Sequence, residues 1–308
     1  MPKFRHEFKH IINPADYYAV RSRLAAVLPH DRYARADGTY KISSLYFDNL
    51  YDKALMEKIN GVKEALTETD QVFGELKWDS MTNPDSLKMM QQVMLLPEGK
   101  TLKDILTADQ YKRLDAFMTQ KLGAGMSNPT VAAQMGKLSP MALVTQFQVL
   151  LYMMNHMGEF DPSSTFDQYF QAQAQKNNLP CGGLETMAFQ ANLLYNQPME
   201  RQVEQLMCLI DNEQFNTQMM EDMAKAFYAQ DLDALQKAMD EKLGTSCDST
   251  PEEEAQLIYN RNADWLAKLP AIMKERPTFF AVGAGHLPGE KGLLQLLRNA
   301  GYTVEGQK

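Results

Sequence analysis

A chain of 308 residues, 44% of them hydrophobic, is long enough to bury a substantial core as one large domain or two smaller ones. Its net charge of −8, with no basic stripe interleaved with aromatics, excludes a general nucleic-acid binder. No apolar run reaches membrane length, and Met1 to His10 is charged and alternating, without the apolar h-region of a signal peptide, so the chain as written reads as cytoplasmic.

Residues 1 to 62 carry ten Lys and Arg against seven Asp and Glu, a local charge of +3 that leaves −11 for the remainder. The opening alternates so that Arg5, Glu7 and Lys9 face one side of a strand and Phe4 and Phe8 the other. Asn13-Pro14 pairs an N-cap with a proline at the first helical position and opens a helix to about Leu28. A second strand follows over Tyr40 to Phe47, and Asn49 caps a helix ending at Gly61. The Arg5-x-Glu7-x-Lys9 strand, the helix after Asn13-Pro14 and Ser44-Leu-Tyr-Phe-Asp-Asn49 together resemble the start of a VTC domain, the polyphosphate-polymerase module of the triphosphate-tunnel fold. That resemblance implies phosphate binding by Arg5 and Lys9. The plainer reading is a solvated strand face, since the basic strands that should follow Gly61 are missing.

From Val62 the pattern changes. A short helix over Val62 to Asp70 leads into a strand, Gln71-Val-Phe-Gly-Glu-Leu76, which leaves Glu75 at its carboxyl end. A carboxylate there either serves as a base or ligand or is a paired, solvated acid. Helices follow. Asn83-Pro84 opens one through Met89 and Met94, Thr101 and Thr107 are N-caps, Gly123 closes the helix of Leu114 and Phe117, and Ser139-Pro140 starts an apolar helix to about His156. His156 reads as a packing or hydrogen-bonding residue. A helix after Phe166-Asp167 precedes a strand over 179 to 185, which leaves Glu185 at its carboxyl end. Helices from Met199 to Lys242 present Glu200, Glu204, Glu221, Asp222, Asp231 and Asp233 on solvated faces, and Thr250-Pro-Glu-Glu-Glu254 starts the helix that carries Tyr259, Arg261 and Asn262. Arg261 either grips a substrate carboxylate or oxyanion or pairs with a neighbouring acid.

The last fifty residues organise the chain. Thr278 to Val282 is a short β-branched and aromatic run that reads as a strand covered on both faces. Gly283 and Gly285 turn the backbone and set His286 at the strand's carboxyl end, where open α/β sheets hold their chemistry. A helix over about Glu290 to Ala300 and a strand over Tyr302 to Val304 complete the chain. The three cysteines, Cys181, Cys208 and Cys247, lack metal-ligand spacing, and their odd number suits a reducing compartment or buried thiols. The twenty-one methionines fit adaptable core packing.

Glu75, the Phe166-Asp167 and Leu184-Glu185-Thr186 segments with Gln190, Arg261-Asn262, Phe279-Phe-Ala-Val-Gly-Ala-Gly-His-Leu-Pro-Gly289 and the helix ending in Gly301-Tyr-Thr-Val304 resemble, in order, the TraB/GumN family, whose animal relatives are the Tiki proteases. The resemblance covers about residues 62 to 308. It implies an α/β fold with a central mixed sheet and many flanking helices, preceded here by the N-terminal strand-helix-strand segment of residues 1 to 61. It further implies a metal-dependent hydrolase of the peptidase class acting on a polypeptide, from a family often exported or membrane-associated. On the family's pattern the catalytic residues are Glu75, His286 and Arg261. The ligands to a divalent ion, Mn, Co or Mg, are His286, Glu75 and Glu185, and Arg261, Asn262, Gly283 and Gly285 bind substrate. The family's first Gly-x-x-His motif is absent, because Gly283 to His286 is the only such sequence in the chain and Tyr40 to Phe47 runs into Asp48-Asn-Leu-Tyr51. Three functions are therefore open. They are an impaired TraB-type hydrolase, a non-catalytic binding protein on the same scaffold, and a phosphate-chain binder through the N-terminal segment.

Overall fold

A computed structural model describes residues 42–46, 66, 68–81, 83–156 and 166–306. The chain divides into two compact units, 1–41 and 42–308, of which the first lies outside the described residues, as do Arg5, Lys9, the segments expected to form the two N-terminal helices, and Asp48 to Tyr51. Among the described residues four strands form one sheet in the order β1-β4-β2-β3, with β1 Ile42–Tyr46, β2 Gln71–Gly74, β3 Cys181–Gly183 and β4 Thr278–Val282. Every pairing among the described residues is parallel, where a mixed sheet was expected. The β2–β3 and β3–β4 connections are long and helical, as parallel strands require.

β4 is the central rib. All five of its residues are buried, and the strand's period of two sends Phe279 and Ala281 to one face and Phe280 and Val282 to the other. The first face packs with Val72 on Phe170 and Ala174 of α7 (Phe166–Lys176). The opposite face packs on Trp265 and Leu269 of α13 (Asn260–Glu275) and on Leu293 and Leu297 of α14 (Leu293–Asn299). β1 lies along the edge beside β4, with Ile42 opposite Thr278 and Tyr46 opposite Val282.

A second, purely helical core lies in the β2–β3 crossover and its neighbours. Leu102 of α3 (Leu102–Ile105), Leu114 and Phe117 of α4 (Ala108–Leu122), Leu143 and Phe147 of α6 (Pro140–Asn155) and Leu206 of α9 (Met199–Asp211) share it. Short-range chemistry sets its helix ends. Thr107 accepts from the Gln110 amide and Ser139 from that of Ala142, and Gly123 closes α4 at φ 77°. Asn83 likewise caps α2 (Pro84–Val93), which follows α1 (Trp78–Met81). The remaining helices are α5 (Pro129–Met135), α8 (Met187–Tyr195), α10 (Glu213–Tyr228), α11 (Leu232–Met239) and α12 (Pro251–Glu254).

Four local expectations change. Residues 302 to 304 form no strand: Gly301 at φ 94° ends the last helix, and Tyr302 N–H bonds back to Leu297 O. That helix starts at Leu293, because Gly289 at φ 80° and the turn behind it occupy the residues expected to be helical. Gly283 has φ −57°, a value open to any residue, so glycine is not needed there for the turn. Finally, the odd cysteine count conceals a disulfide between Cys208 and Cys247, which ties α9 to the loop before α12; Cys181 is the free thiol. Two of the acids expected on solvated faces are also paired, Glu204 with Arg201 and Glu221 with His156, whose ring stacks on Tyr152.

Candidate active site

The carboxyl ends of β2, β3 and β4 converge on one cluster. β2 leads into Glu75, β3 into Leu184-Glu185, and β4 into Gly283 and a 3-10 turn, Ala284–His286. The β2 and β3 ends are held together by Leu184 N–H donating to Gly74 O (3.0 Å) and Glu185 N–H to Glu75 O (2.9 Å). Gly183 permits this approach, since a Cβ there would stand 2.5 Å from the backbone nitrogen of Lys77. Gly285 serves a similar end against α11, where its Cβ would meet the Met239 methyl at 3.1 Å.

The helix of Arg261 supplies the other side. Thr250 caps its start through a capping box with Glu253, and one π turn, Ala255–Tyr259, in which Asn260 N–H bonds to Ala255 O, precedes α13. Arg261, Asn262 and Trp265 then fall on one face of α13, all buried.

Arg261 occupies the centre. Its Nε donates to Glu185 Oε1 (2.9 Å), Nη2 to Glu185 Oε2 (2.9 Å) and Glu75 Oε2 (2.5 Å), and Nη1 to Leu257 O (2.9 Å) and His286 Nε2 (3.0 Å). All five guanidinium N–H groups are thereby used. Burial alone would lower the Arg261 pKa, but the bonds and charges of Glu185 and Glu75 outweigh it and hold the pKa above the ordinary arginine value. Trp265 backs the group, with its ring 4.9 Å from the guanidinium carbon and its Nε1–H donated to Glu185 Oε1 (2.8 Å).

Asn262 fixes the tautomer of His286. Its Nδ2 donates to His286 O (3.0 Å) and Lys291 O (2.9 Å), so its Oδ1, 2.7 Å from His286 Nδ1, accepts the imidazole proton. Nε2 therefore carries the lone pair that faces Arg261. Burial first, and the Arg261 charge second, push the His286 pKa down to about 3 against a smaller opposing pull from Glu185, so the ring is neutral at pH 7.

The residues singled out in the sequence thus meet. Glu75, Glu185, Arg261, Asn262, His286 and the backbone of Gly283, whose N–H donates to Glu75 Oε1 at 2.7 Å, form one hydrogen-bonded unit. Two contributors carried no assigned role in the sequence. Gln190 of α8 donates to both Glu75 Oε2 (3.1 Å) and Glu185 Oε2 (3.0 Å). Trp265 also packs against the His286 ring, with centroids 4.3 Å apart and planes tilted by 40°, and its place one helical turn after Arg261 was the signal available.

The donor set as arranged does not fit a divalent metal ion. His286 Nε2 accepts from Arg261, and three of the four carboxylate oxygens each accept two N–H groups, so a metal would have to displace a guanidinium already paired with both acids. Among the described residues no group of three or more His, Cys, Asp or Glu side chains is disposed to hold one.

Comparison with known proteins follows the same residues. A model of the TraB/PrgY/gumN family matches residues 50–306, and a model of the VTC domain matches residues 4–68. Metalloprotease TIKI2 of Xenopus tropicalis is 25% identical over 287 residues, 79% of this chain and 53% of that protein. Metalloprotease TIKI1 of Homo sapiens is 24% identical, over 79% and 55%. The chain spans about half the length of these curated relatives. No solved structure matches significantly.

Proposed function

The chain belongs to the TraB/PrgY/gumN family, and from that premise we propose that it is a TraB-type hydrolase of the peptidase class, weakly active as written, with Glu75, Glu185, Arg261 and His286 as its centre. The observation that carries this reading is the convergence of two carboxylates, a guanidinium and a neutral imidazole at the carboxyl end of a parallel sheet, where open α/β folds place their chemistry. Glu75 is the proton acceptor in this reading. Among the described residues its Oε1 has a single hydrogen-bond partner, the Gly283 amide, and lies 3.9 Å from His286 Nε2 without a hydrogen bond between them. Gln190 and Arg261 hold its other oxygen, which fixes the direction in which Oε1 points.

Weak activity follows from two features. The first Gly-x-x-His motif is absent, so one imidazole serves where the family pattern supplies two. In addition, Arg261 has no N–H left for a developing oxyanion unless it gives up an internal partner. The metalloprotease names of the relatives bring a divalent ion into consideration, but no step is assigned to one, because the cation among these acids is Arg261.

The test is proteolysis of a reduced, unfolded polypeptide by the purified chain. Slow cleavage that disappears in Glu75→Gln and His286→Ala supports the proposal. Cleavage that persists unchanged in both variants overturns it. The saturation of Arg261 favours a second reading, a non-catalytic binding protein on the same scaffold, which no cleavage by any variant would support. Phosphate-chain binding by Arg5 and Lys9 draws support from the VTC match alone, and both residues lie outside the described part of the chain.

A further inference from the structure

We propose that the Cys208–Cys247 bond is a thiol-exchange site, at which a small thiol of neutral or positive charge enters a groove beside α9, attacks Cys208 and displaces Cys247. The groove has a volume of about 610 Å³ and opens to solvent. Gln110 and Arg113 of α4 line it together with Glu200, Met207, Cys208 and Asp211 of α9. Its described lining includes no residue of the Glu75–His286 cluster, and exchange there needs nothing from the peptidase reading.

Access and leaving-group chemistry choose the same sulfur. Both cysteines are half-buried, but Cys208 lines the groove and Cys247 does not. Cys208 sits in the last turn of α9, where the negative end of the helix dipole disfavours a thiolate. Cys247 lies off that helix, and its sulfur accepts from Asn212 Nδ2 at 3.7 Å, a donor that stabilises a departing thiolate. The same amide group donates to Cys208 O at 3.0 Å, which fixes its direction. Exchange is faster the lower the pKa of the leaving thiol, so attack at Cys208 with departure of Cys247 is the favoured course. The incoming thiolate bonds to Cys208 Sγ, the bond between the two protein sulfurs breaks, and its electron pair leaves on Cys247, which takes a proton from water. The entering thiol is thereby oxidised to the disulfide level and Cys247 is reduced.

The loop of Cys247 does not depend on the disulfide alone for its place. Arg201 of α9 donates to Ser246 O and Asp248 O, on either side of Cys247, and to Glu253 in the capping box behind it. Asp248 in turn accepts from the amides of Leu243, Gly244 and Thr245. The bond can therefore open without loss of the fold, and Cys247 stays within reach to close it again. The lining sets the charge of the thiol. Arg113 and Arg201 stand there against Glu200, Glu204 and Asp211, two positive charges against three negative, a sum of −1. Both arginines are already paired, Arg113 with Asp109 and Asp211, Arg201 with Glu204 and Glu253, so an anionic thiol adds to the excess of negative charge and a cationic one offsets it.

The experiment treats the native full chain with cysteamine, blocks free thiols with iodoacetamide and maps the modified peptides by mass spectrometry. The expected product carries cysteamine on Cys208 and the alkyl group on Cys247, with the reverse pair at least about threefold rarer. Asn212→Leu should slow the exchange by about threefold, the share of one weak hydrogen bond, and narrow that preference, with circular dichroism confirming that the variant is folded. Should Asn212→Leu fail to fold, the product ratio in the unmodified chain still decides. Cysteamine should also outpace mercaptopropionate, each rate taken relative to that of the same thiol with a neutral model disulfide, and the gap should shrink in high salt. Modification chiefly at Cys247, equal modification of the two sulfurs, or exchange only after unfolding in urea overturns the proposal. Equal relative rates for the two thiols, with Cys208 still preferred, would uphold the site and overturn its charge selection.

Discussion

Arg261 and its neighbour in sequence, Asn262, grip the two nitrogens of one imidazole. Arg261 Nη1 donates to Nε2 of His286 at 3.0 Å, and Asn262 Oδ1 accepts from Nδ1 at 2.7 Å. Consecutive helical residues point about 100° apart, so this grip depends on His286 entering between them on the short turn after β4. A cation at Nε2 and an acceptor at Nδ1 leave the ring no way to take a second proton without losing the Arg261 contact.

The first prediction is a loss of stability in acid that belongs to His286. Its folded pKa, about 3, lies below the ordinary histidine value of 6.5, so between these values the unfolded chain binds a proton that the folded chain refuses. Stability from this group is therefore full above about pH 6.5 and falls as pH drops towards 3, by up to about 1.4 kcal/mol per pH unit. Urea unfolding from pH 7 to pH 4 should show a steeper decline for the unmodified chain than for His286→Gln. Parallel declines would mean that the imidazole is not held neutral.

The next concerns Gly183. A methyl group at this position meets the backbone of Lys77 at 2.5 Å, and backbone cannot swing aside as a side chain would. Gly183→Ala should destabilise the chain by about 2 kcal/mol, in the range of overpacked sites, and part Glu75 from Glu185. The control is Gly306→Ala, where an added Cβ meets nothing. Equal stability of the two variants would show that the β2 and β3 ends are not in close contact.

Cys208 and Cys247 are bonded across a sequence separation of 39, a loop whose closure is worth about 4 kcal/mol in the chain-entropy account. Arg201 grips the same loop through Ser246 O and Asp248 O, so reduction should lower the melting temperature without unfolding the chain at room temperature. Alkylation of the denatured, unreduced chain should label Cys181 alone. Labelling of all three cysteines before reduction would refute the bond.

Short-range patterns in the sequence were sufficient for much of the fold. Asn83, Thr107, Ser139 and Thr250 cap helices because a cap depends on the few residues beside it, and Thr278 to Val282 is a two-faced strand because its alternation is local. Tyr302 to Val304 misled because β-propensity needs a partner strand, and these residues lie outside the sheet. The disulfide was hidden because connectivity is set by tertiary approach. In the site, Glu75, Glu185, Arg261 and His286 were each legible from their positions at strand ends and on a helix. Their mutual arrangement was not, because an arginine that reaches two acids from another element leaves no trace in spacing. Trp265 escaped for the same reason, and Gln190 was visible only as part of a motif, without its two carboxylate partners.

The central claim is that the positive charge among Glu75, Glu185 and His286 is the guanidinium of Arg261. The most direct test is elemental analysis of the purified chain after exposure to MnCl2 and desalting, alongside Glu75→Gln and His286→Gln. The account predicts that neither substitution lowers the metal content of the unmodified chain. One metal ion bound per chain, lost in both variants, would contradict it.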